Sequence, residues 1–282
     1  MLTLINRFIP RMIMGTDTLR GDFCGRYKPI PVARLRVSPL VKKRILGLRS
    51  RNQPGVDFVD DARLTVIIPF RDREDHLTEL VPVLKRTLEQ QGLVFRIVVV
   101  EQTHGKLFNR GMLKNVGAHY ARENSDYFCF HDVDMLPLEA NYSCPSSPLR
   151  LIKYFESTWR ESRSLGGHNF GGVVSIRKDD YLKINGYSNN FWGWGKEDDE
   201  FFIRAVLAGL VPFEDCEGAF RELANPETQT RSAKKIIKTN KKQKDKLLRG
   251  YHSFKNDGFT TLAYEIVSSE DNGDYCKLTV RI

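Results

Sequence analysis

Two acidic strings in this sequence have the residue types and spacing to do chemistry. The first is Asp132-Val133-Asp134. Residues two apart on an extended chain point to the same side, so both carboxylates face one site. Hard oxygen ligands suit Mg²⁺ or Mn²⁺ better than zinc. A divalent ion held there would neutralise and orient a diphosphate leaving group. An Asp-X-Asp at a strand end also serves as a helix cap or a surface turn, so the motif takes its meaning from its setting.

The second string is Trp192-Gly193-Trp194-Gly195-Lys196-Glu197-Asp198-Asp199-Glu200. Two indoles between glycines form a costly apolar surface on a permissive backbone. Indole faces stack on sugar rings, and such a loop can close over a substrate. The four carboxylates that follow open a helix running through Phe201, Phe202, Ala205 and Val206. A helix N-terminus favours carboxylates, which accounts for some of them as caps. Four in a row exceed that need, and crowding raises the pKa of at least one, as a general base requires. Pro69-Phe70-Arg71-Asp72-Arg73 and Phe108-Asn109-Arg110 are basic turns beside an aromatic. Arginine binds phosphate in a bidentate manner and Phe stacks on a base, although either turn also reads as plain surface charge.

The elements that must position these strings are legible from periodicity. Leu64–Ile68 is a short, continuously apolar run that reads as a buried strand. Leu77, Leu80, Val81, Leu84 and Leu88 give 74–90 helical spacing. Phe95–Val100 returns to strand character, 108–122 is helical, and Tyr127–His131 is a third strand. Strands alternating with helices of this length predict an α/β fold with a mainly parallel central sheet flanked by helices. Ligands collect at the carboxyl ends of such strands. Arg71-Asp72-Arg73, Glu101-Gln102 and Asp132-Val133-Asp134 all fall there. Tyr264–Val267 and Lys277–Ile282 read as two late strands, a terminal hairpin. The lysine-rich stretch within 221–256 reads as a solvated helix face, or more sharply as a contact for an anionic membrane.

Composition bounds the rest. With 282 residues, 41% of them hydrophobic, the chain can bury a large core. A net charge of +9 points to an anionic partner without naming it. The five cysteines include no CxxC pair, which argues for a reducing compartment. The opening MLTLINRFIPRMIM is broken by Arg7 and Arg11 and falls short of the roughly 20 apolar residues of a membrane span. It reads as a helix packed on the domain or lying on a membrane surface. Arg/Lys runs alone do not make a nucleic-acid site, and none is expected.

Taken together, these segments resemble the β-1,4-galactosyltransferase family (glycosyltransferase family 7), most closely its xylose-directed, proteoglycan-linker branch. The similarity runs over about 62–268. It takes in Val66–Arg73, Phe108-Asn109-Arg110 with Asn115-Val116-Gly117, His131–Pro137, Phe170–Val173, Asn185–Asn190, Trp192–Glu200 and Asp257-Gly258. The resemblance implies a GT-A fold and inverting transfer from UDP-galactose or UDP-GalNAc to a glycan or glycolipid hydroxyl, with Mn²⁺ (or Mg²⁺) as cofactor. Carried over by position, Pro69, Phe70, Arg71, Arg73, Phe108, Arg110, Asp132, Val133, Asp134, Gly172 and Trp194 would bind the donor. Gly171 and Gly172 would let the backbone approach the sugars. Trp194, Glu197, Asp198 and Asp199 would bind the acceptor, with Asp198 as the base and Asp134 as a metal ligand.

Two departures from the family pattern shape the expectations. Glu222 stands where relatives place a metal-binding histidine, and as a carboxylate it becomes the expected second metal ligand. Asn169 replaces the usual tyrosine beside the donor's C2 substituent, so UDP-GalNAc joins UDP-galactose as a candidate donor. The expected division is a basic extension over 1–60, a catalytic domain over 61–268 and a terminal strand over 269–282. Within the catalytic domain, 61–137 is the nucleotide half and 165–268 the acceptor half. With no anchor or stem in the sequence, the expected place is the cytoplasm of a bacterium, peripheral at the inner membrane face. The rival expectation is a sugar-binding scaffold of the same fold with an eroded metal site.

Overall fold

The computed structural model describes residues 27–29, 56–156, 160–161, 170–215, 217–223, 231–248 and 254–282. Most of the basic N-terminal extension, including its apolar start, lies outside these residues, as does Asn169.

The main elements in chain order are β1 (Tyr27–Pro29), β2 (Arg63–Phe70), α1 (Glu74–Gln90), β3 (Val94–Gln102), α2 (Arg110–Ala121), β4 (Tyr127–His131), β5 (Met135–Glu139), β6 (Leu149–Arg150) and β7 (Val173–Arg177). They continue with α3 (Lys178–Lys183), α4 (Glu197–Leu207), β8 (Phe213–Asp215), β9 (Ala219–Glu222), α5 (Arg231–Leu248), β10 (Glu265–Asp271) and β11 (Cys276–Arg281). The nine-stranded sheet has the order β1-β8-β6-β7-β4-β2-β3-β11-β10. Its centre, β4-β2-β3-β11, is parallel throughout. On either side the sheet turns antiparallel, through β7 against β4 and β10 against β11. The expected terminal hairpin is therefore present, and it is welded to the parallel core.

Alternation along β2 explains the layering, because successive side chains leave opposite faces. Ile67 joins Leu113, Val116, Phe130, Phe201 and Phe202 in the core under α2 and α4. Val66 and Ile68 join Leu77, Leu80, Leu84 and Leu88 beneath α1 on the other face. Gly117 lets α2 lie close on the sheet, since a Cβ there would meet Ile67 Cγ2 at 2.4 Å. Helices on both faces leave the carboxyl edge of the parallel strands as the open rim.

A second, smaller sheet was not expected from the sequence. Here β9 runs antiparallel to β5, pairing Glu222 with Met135 and Arg221 with Leu136. It folds chain from about ninety positions later back onto the segment that follows Asp134. Among the described residues, no helix is long and apolar enough to cross a membrane.

Candidate active site

The site forms where α2, the end of β4 and the start of α4 converge. Asn109 caps α2 by accepting a hydrogen bond from Met112 N at 3.0 Å. From that fixed start, Arg110 and Lys114 lie one turn apart and on one face. Arg110 Nη1 donates to Asp132 Oδ2 at 2.8 Å, and its Nε lies 3.6 Å from Glu197 Oε1. Lys114 Nζ donates to Asp198 Oδ1 at 3.1 Å and lies 4.0 Å from Asp132 Oδ1. Asp132, Glu197 and Asp198 thus face two cations, and Asp134 adds its charge near Arg110. Burial alone would weaken the Arg110 guanidinium, but those four carboxylates hold it well above its ordinary value. Burial, and then the charge of Asp198, push Glu197 above the usual carboxylate range against the pull of Arg110 and Lys114.

The expected crowding at the start of α4 therefore falls on Glu197. Glu200 is also raised, to about 7, but by burial, and its Oε2 receives Arg204 Nε at 2.7 Å. It belongs to the scaffold. Asp199 faces lysines, with Lys196 Nζ at 2.9 Å and Lys244 Nζ at 3.4 Å. Asp198 itself keeps about a fifth of its side chain open, and its Oδ2 lies over Gly171, where a Cβ would meet it at 2.3 Å.

The tryptophan loop leads into α4 through left-handed residues Gly193, Gly195 and Lys196 (φ +72°, +96° and +84°). Gly193 N donates to Phe108 O at 2.7 Å, which ties the loop to the start of α2. Trp194 is 40% exposed. The lysine-rich stretch does more than present a solvated face. On α5, Ile236 and Ile237 lie against Gly193 and Gly195, and Asn240 Nδ2 donates to the carbonyls of Trp192, Trp194 and Gly195.

On the donor side, Arg71 stacks over Phe108, Cζ to ring centroid 5.2 Å, while its Nη1 donates to Lys106 O at 2.9 Å. Arg73 is half-buried at the N-cap position of α1, and Val133 packs its side chain toward the core below α1. Pro69 and Phe70 are buried. Phe70 is fully enclosed among Val66, Ile68 and Leu77. A base-stacking role for Phe70, suggested by its residue type, is therefore corrected: it offers a donor only its main chain. Gly172 takes a left-handed φ of +82°, and its carbonyl accepts Asp132 N at 2.8 Å.

Beside this rim stands a pair of hard oxygen donors. Leu223 N donates to Asp134 O at 2.8 Å, which fixes Glu222 next to Asp134. Burial and the charge of Asp134 both raise the Glu222 carboxyl. Among the described residues, no group of three or more His, Cys, Asp or Glu could hold a metal. Two carboxylates nonetheless suit Mg²⁺ or Mn²⁺ where substrate phosphates complete the coordination. Beneath Asp132, His131 Nδ1 donates to the Asp132 carbonyl at 2.9 Å and its Nε2 accepts from Tyr142 Oη at 2.9 Å.

Sequence reasoning missed Lys114, His131 and Asn240. A lysine amid the buried run Gly111–Ala118 of α2 was a readable signal. The Ile236-Ile237…Asn240…Lys244 spacing marks one face of α5.

Comparison with known proteins decides the family. Residues 42–145 match the N-terminal region of glycosyl transferase group 7, and 160–223 match the family described as the N-terminal domain of galactosyltransferase. The catalytic domain of Drosophila β-1,4-galactosyltransferase 7, solved with xylobiose, is 30% identical, with TM-score 0.64 over 78% of this chain and 94% of that one. The chain belongs to glycosyltransferase group 7. A variant of the same Drosophila enzyme, solved with manganese, UDP-Gal and xylobiose, is 28% identical at TM-score 0.66 over the same shares of the two chains. Human β-1,4-galactosyltransferase 4 is 34% identical over 229 residues, 77% of this chain and 63% of the relative. This group 7 chain thus spans less than two thirds of that relative's length. The GT-A fold shared by these galactosyltransferases is the fold described above.

Proposed function

We propose that this chain is an inverting, UDP-sugar-dependent β-glycosyltransferase that moves galactose, or GalNAc, to a hydroxyl of a saccharide acceptor. The observation that carries the proposal is Asp198: a carboxylate opening α4, partly exposed, backed by Lys114 and adjoining the exposed Trp194. Asp198 takes the acceptor proton as that oxygen attacks the anomeric carbon and UDP departs, so one displacement inverts the configuration. Arg71, Phe108 and Arg110, with the main chain at Pro69 and Phe70, hold the uridine diphosphate. Asp132 is fixed by Arg110, and Trp194 covers both sugars. Asp134 and Glu222 would hold Mn²⁺ or Mg²⁺, which neutralises the departing diphosphate. With Glu222 beside Asp134, the feature that favoured a catalytically silent scaffold loses its force.

The proposed division keeps residues 61–137 as the nucleotide half and 165–268 as the acceptor half, after a basic extension over 1–60. We place the protein in a reducing cytoplasm, supported by buried free thiols at Cys129, Cys144 and Cys276. Peripheral contact with an anionic membrane is supported by the exposed Lys235, Lys238, Lys241 and Lys242 on α5.

The test is UDP release from UDP-Gal, UDP-GalNAc, UDP-Glc and UDP-GlcNAc, with xylobiose as acceptor, with and without Mn²⁺. Release dependent on UDP-Gal or UDP-GalNAc and on acceptor is expected, and Asp198→Asn should nearly abolish it while retaining UDP binding. No release with any donor would return the scaffold to favour.

A further inference from the structure

Lys114 is 1% exposed in a helix whose surrounding positions, Met112, Leu113, Val116 and Ala118, are apolar and buried. Burying an ammonium is costly unless it is paired. A methionine would fill the same volume without that cost, so packing does not call for the charge. What the charge does is specific. Lys114 Nζ lies 3.1 Å from Asp198 Oδ1, 4.0 Å from Asp132 Oδ1 and 4.6 Å from the centroid of the Tyr187 ring.

The two oxygens of Asp198 have different surroundings. Oδ1 faces Lys114, and Oδ2 lies over the bare Cα of Gly171. We propose that Lys114 is a positioning residue of the transfer reaction: it grips Asp198 through Oδ1 and presents Oδ2 to the acceptor hydroxyl.

Asp198 needs such a grip because like charges crowd it. Glu197 precedes it in the chain, and Asp132 shares Lys114 with it. Arg110 is committed to Asp132 and Glu197, and Arg150, buried behind Gly171, donates to Gly171 O at 3.2 Å and pairs with Glu214. Among the described residues, Lys114 is the ammonium that reaches Asp198. A base that swings by an ångström loses much of its effect, because proton transfer needs hydrogen-bond reach.

The inference rests on Asp198 being the base, and its test separates the two ideas. Lys114→Met, Asp198→Asn and the double variant are compared in the full chain with UDP-Gal, xylobiose and Mn²⁺. The readouts are kcat, donor and acceptor KM, and Tm. Lys114→Met is expected to lower kcat roughly 100-fold, with donor KM nearly unchanged and Tm held or raised. In the Asp198→Asn background it should lower kcat little further, because the effect of Lys114 on kcat runs through that carboxylate.

Wild-type kcat in Lys114→Met, with Asp198→Asn inactive, overturns the role of Lys114 and leaves the base intact. Equal losses from Lys114→Met in both backgrounds overturn it too. So does a fall in Tm with donor KM rising in step, which marks a structural lysine. Full turnover in Asp198→Asn removes the base and this inference together. If Lys114→Met does not fold, Lys114→Gln replaces it and is judged by the same outcomes.

Discussion

Asn240, on the lysine-rich helix α5, donates its side-chain amide to the carbonyl of Gly195 in the tryptophan loop at 2.9 Å. The same amide reaches the carbonyls of Trp192 and Trp194, and Asn240 is buried in doing so. A loop with left-handed glycines at 193 and 195 has little stiffness of its own. Its shape is therefore borrowed from α5. Replacing Asn240 by Ala removes hydrogen bonds worth about 1 kcal/mol each. The loop's ordering cost then falls on substrate binding. Asn240→Ala is expected to lower kcat/KM for the acceptor about tenfold while Tm moves little. Steady-state kinetics at varied acceptor, beside a melting curve, checks this; an unchanged kcat/KM would show the loop is held by other contacts.

Gly171 gives a sharper test of where Asp198 must be. A Cβ at this position would stand 2.3 Å from Asp198 Oδ2 and 2.7 Å from Asp198 Cγ, contacts no side chain tolerates. The clash is with a side-chain end, so the carboxylate swings away and the fold survives. Gly171→Ala is expected to retain Tm within a few degrees and to lose about 100-fold in kcat. Activity near that of the wild type would mean that Asp198 acts from another rotamer.

Much of this architecture was readable beforehand, and the exceptions have a common cause. Helix 74–90 announced itself through five apolar residues on one face, and the strand at Tyr127–His131 through an unbroken run above a buried sheet. Asp132, Asp134 and Asp198 were legible because their spacing and flanking elements are local properties. Partnerships made by tertiary folding were not. Lys114 becomes a buried cation only once α4 packs against α2, whereas Glu222 was expected beside Asp134 from the family resemblance, and the β9–β5 register brings their segments together. The reading of 221–256 as a solvated face holds for the exposed Lys235, Lys238, Lys241 and Lys242, but it missed the opposite face of α5. Its lysines dominate the composition, whereas Ile236, Ile237 and Asn240 decide its packing.

His131 predicts how the site responds to acid. Burial lowers its pKa from the ordinary 6.5 to about 4, against the raising effect of the Asp132 carbonyl. The folded protein thus holds the ring neutral, while the unfolded chain takes up a proton below pH 6.5. Stability from this group is complete above pH 6.5 and is lost as pH falls toward 4. The slope is about 1.4 kcal/mol per pH unit for one proton. Urea midpoints across that range should fall more steeply for the wild type than for His131→Asn. Parallel slopes would show that the buried imidazole is not the acid-sensitive group.

Glu222 carries the last prediction. Burial and the charge of Asp134 raise its carboxyl, so the pair is mutually repulsive until a cation lies between them. Removing one carboxylate should leave the metal-free protein no less stable, because repulsion is relieved. The same change should weaken the ion's hold, since Asp134 alone must then act with the substrate phosphates. Glu222→Ala is expected to raise the Mn²⁺ concentration for half-maximal activity by at least about tenfold, with the metal-free Tm unchanged or higher. Glu222→His, which restores a second ligand without the charge, should recover most of that loss. A metal requirement identical in all three proteins would detach Glu222 from the ion and leave Asp134 as the only protein ligand proposed here.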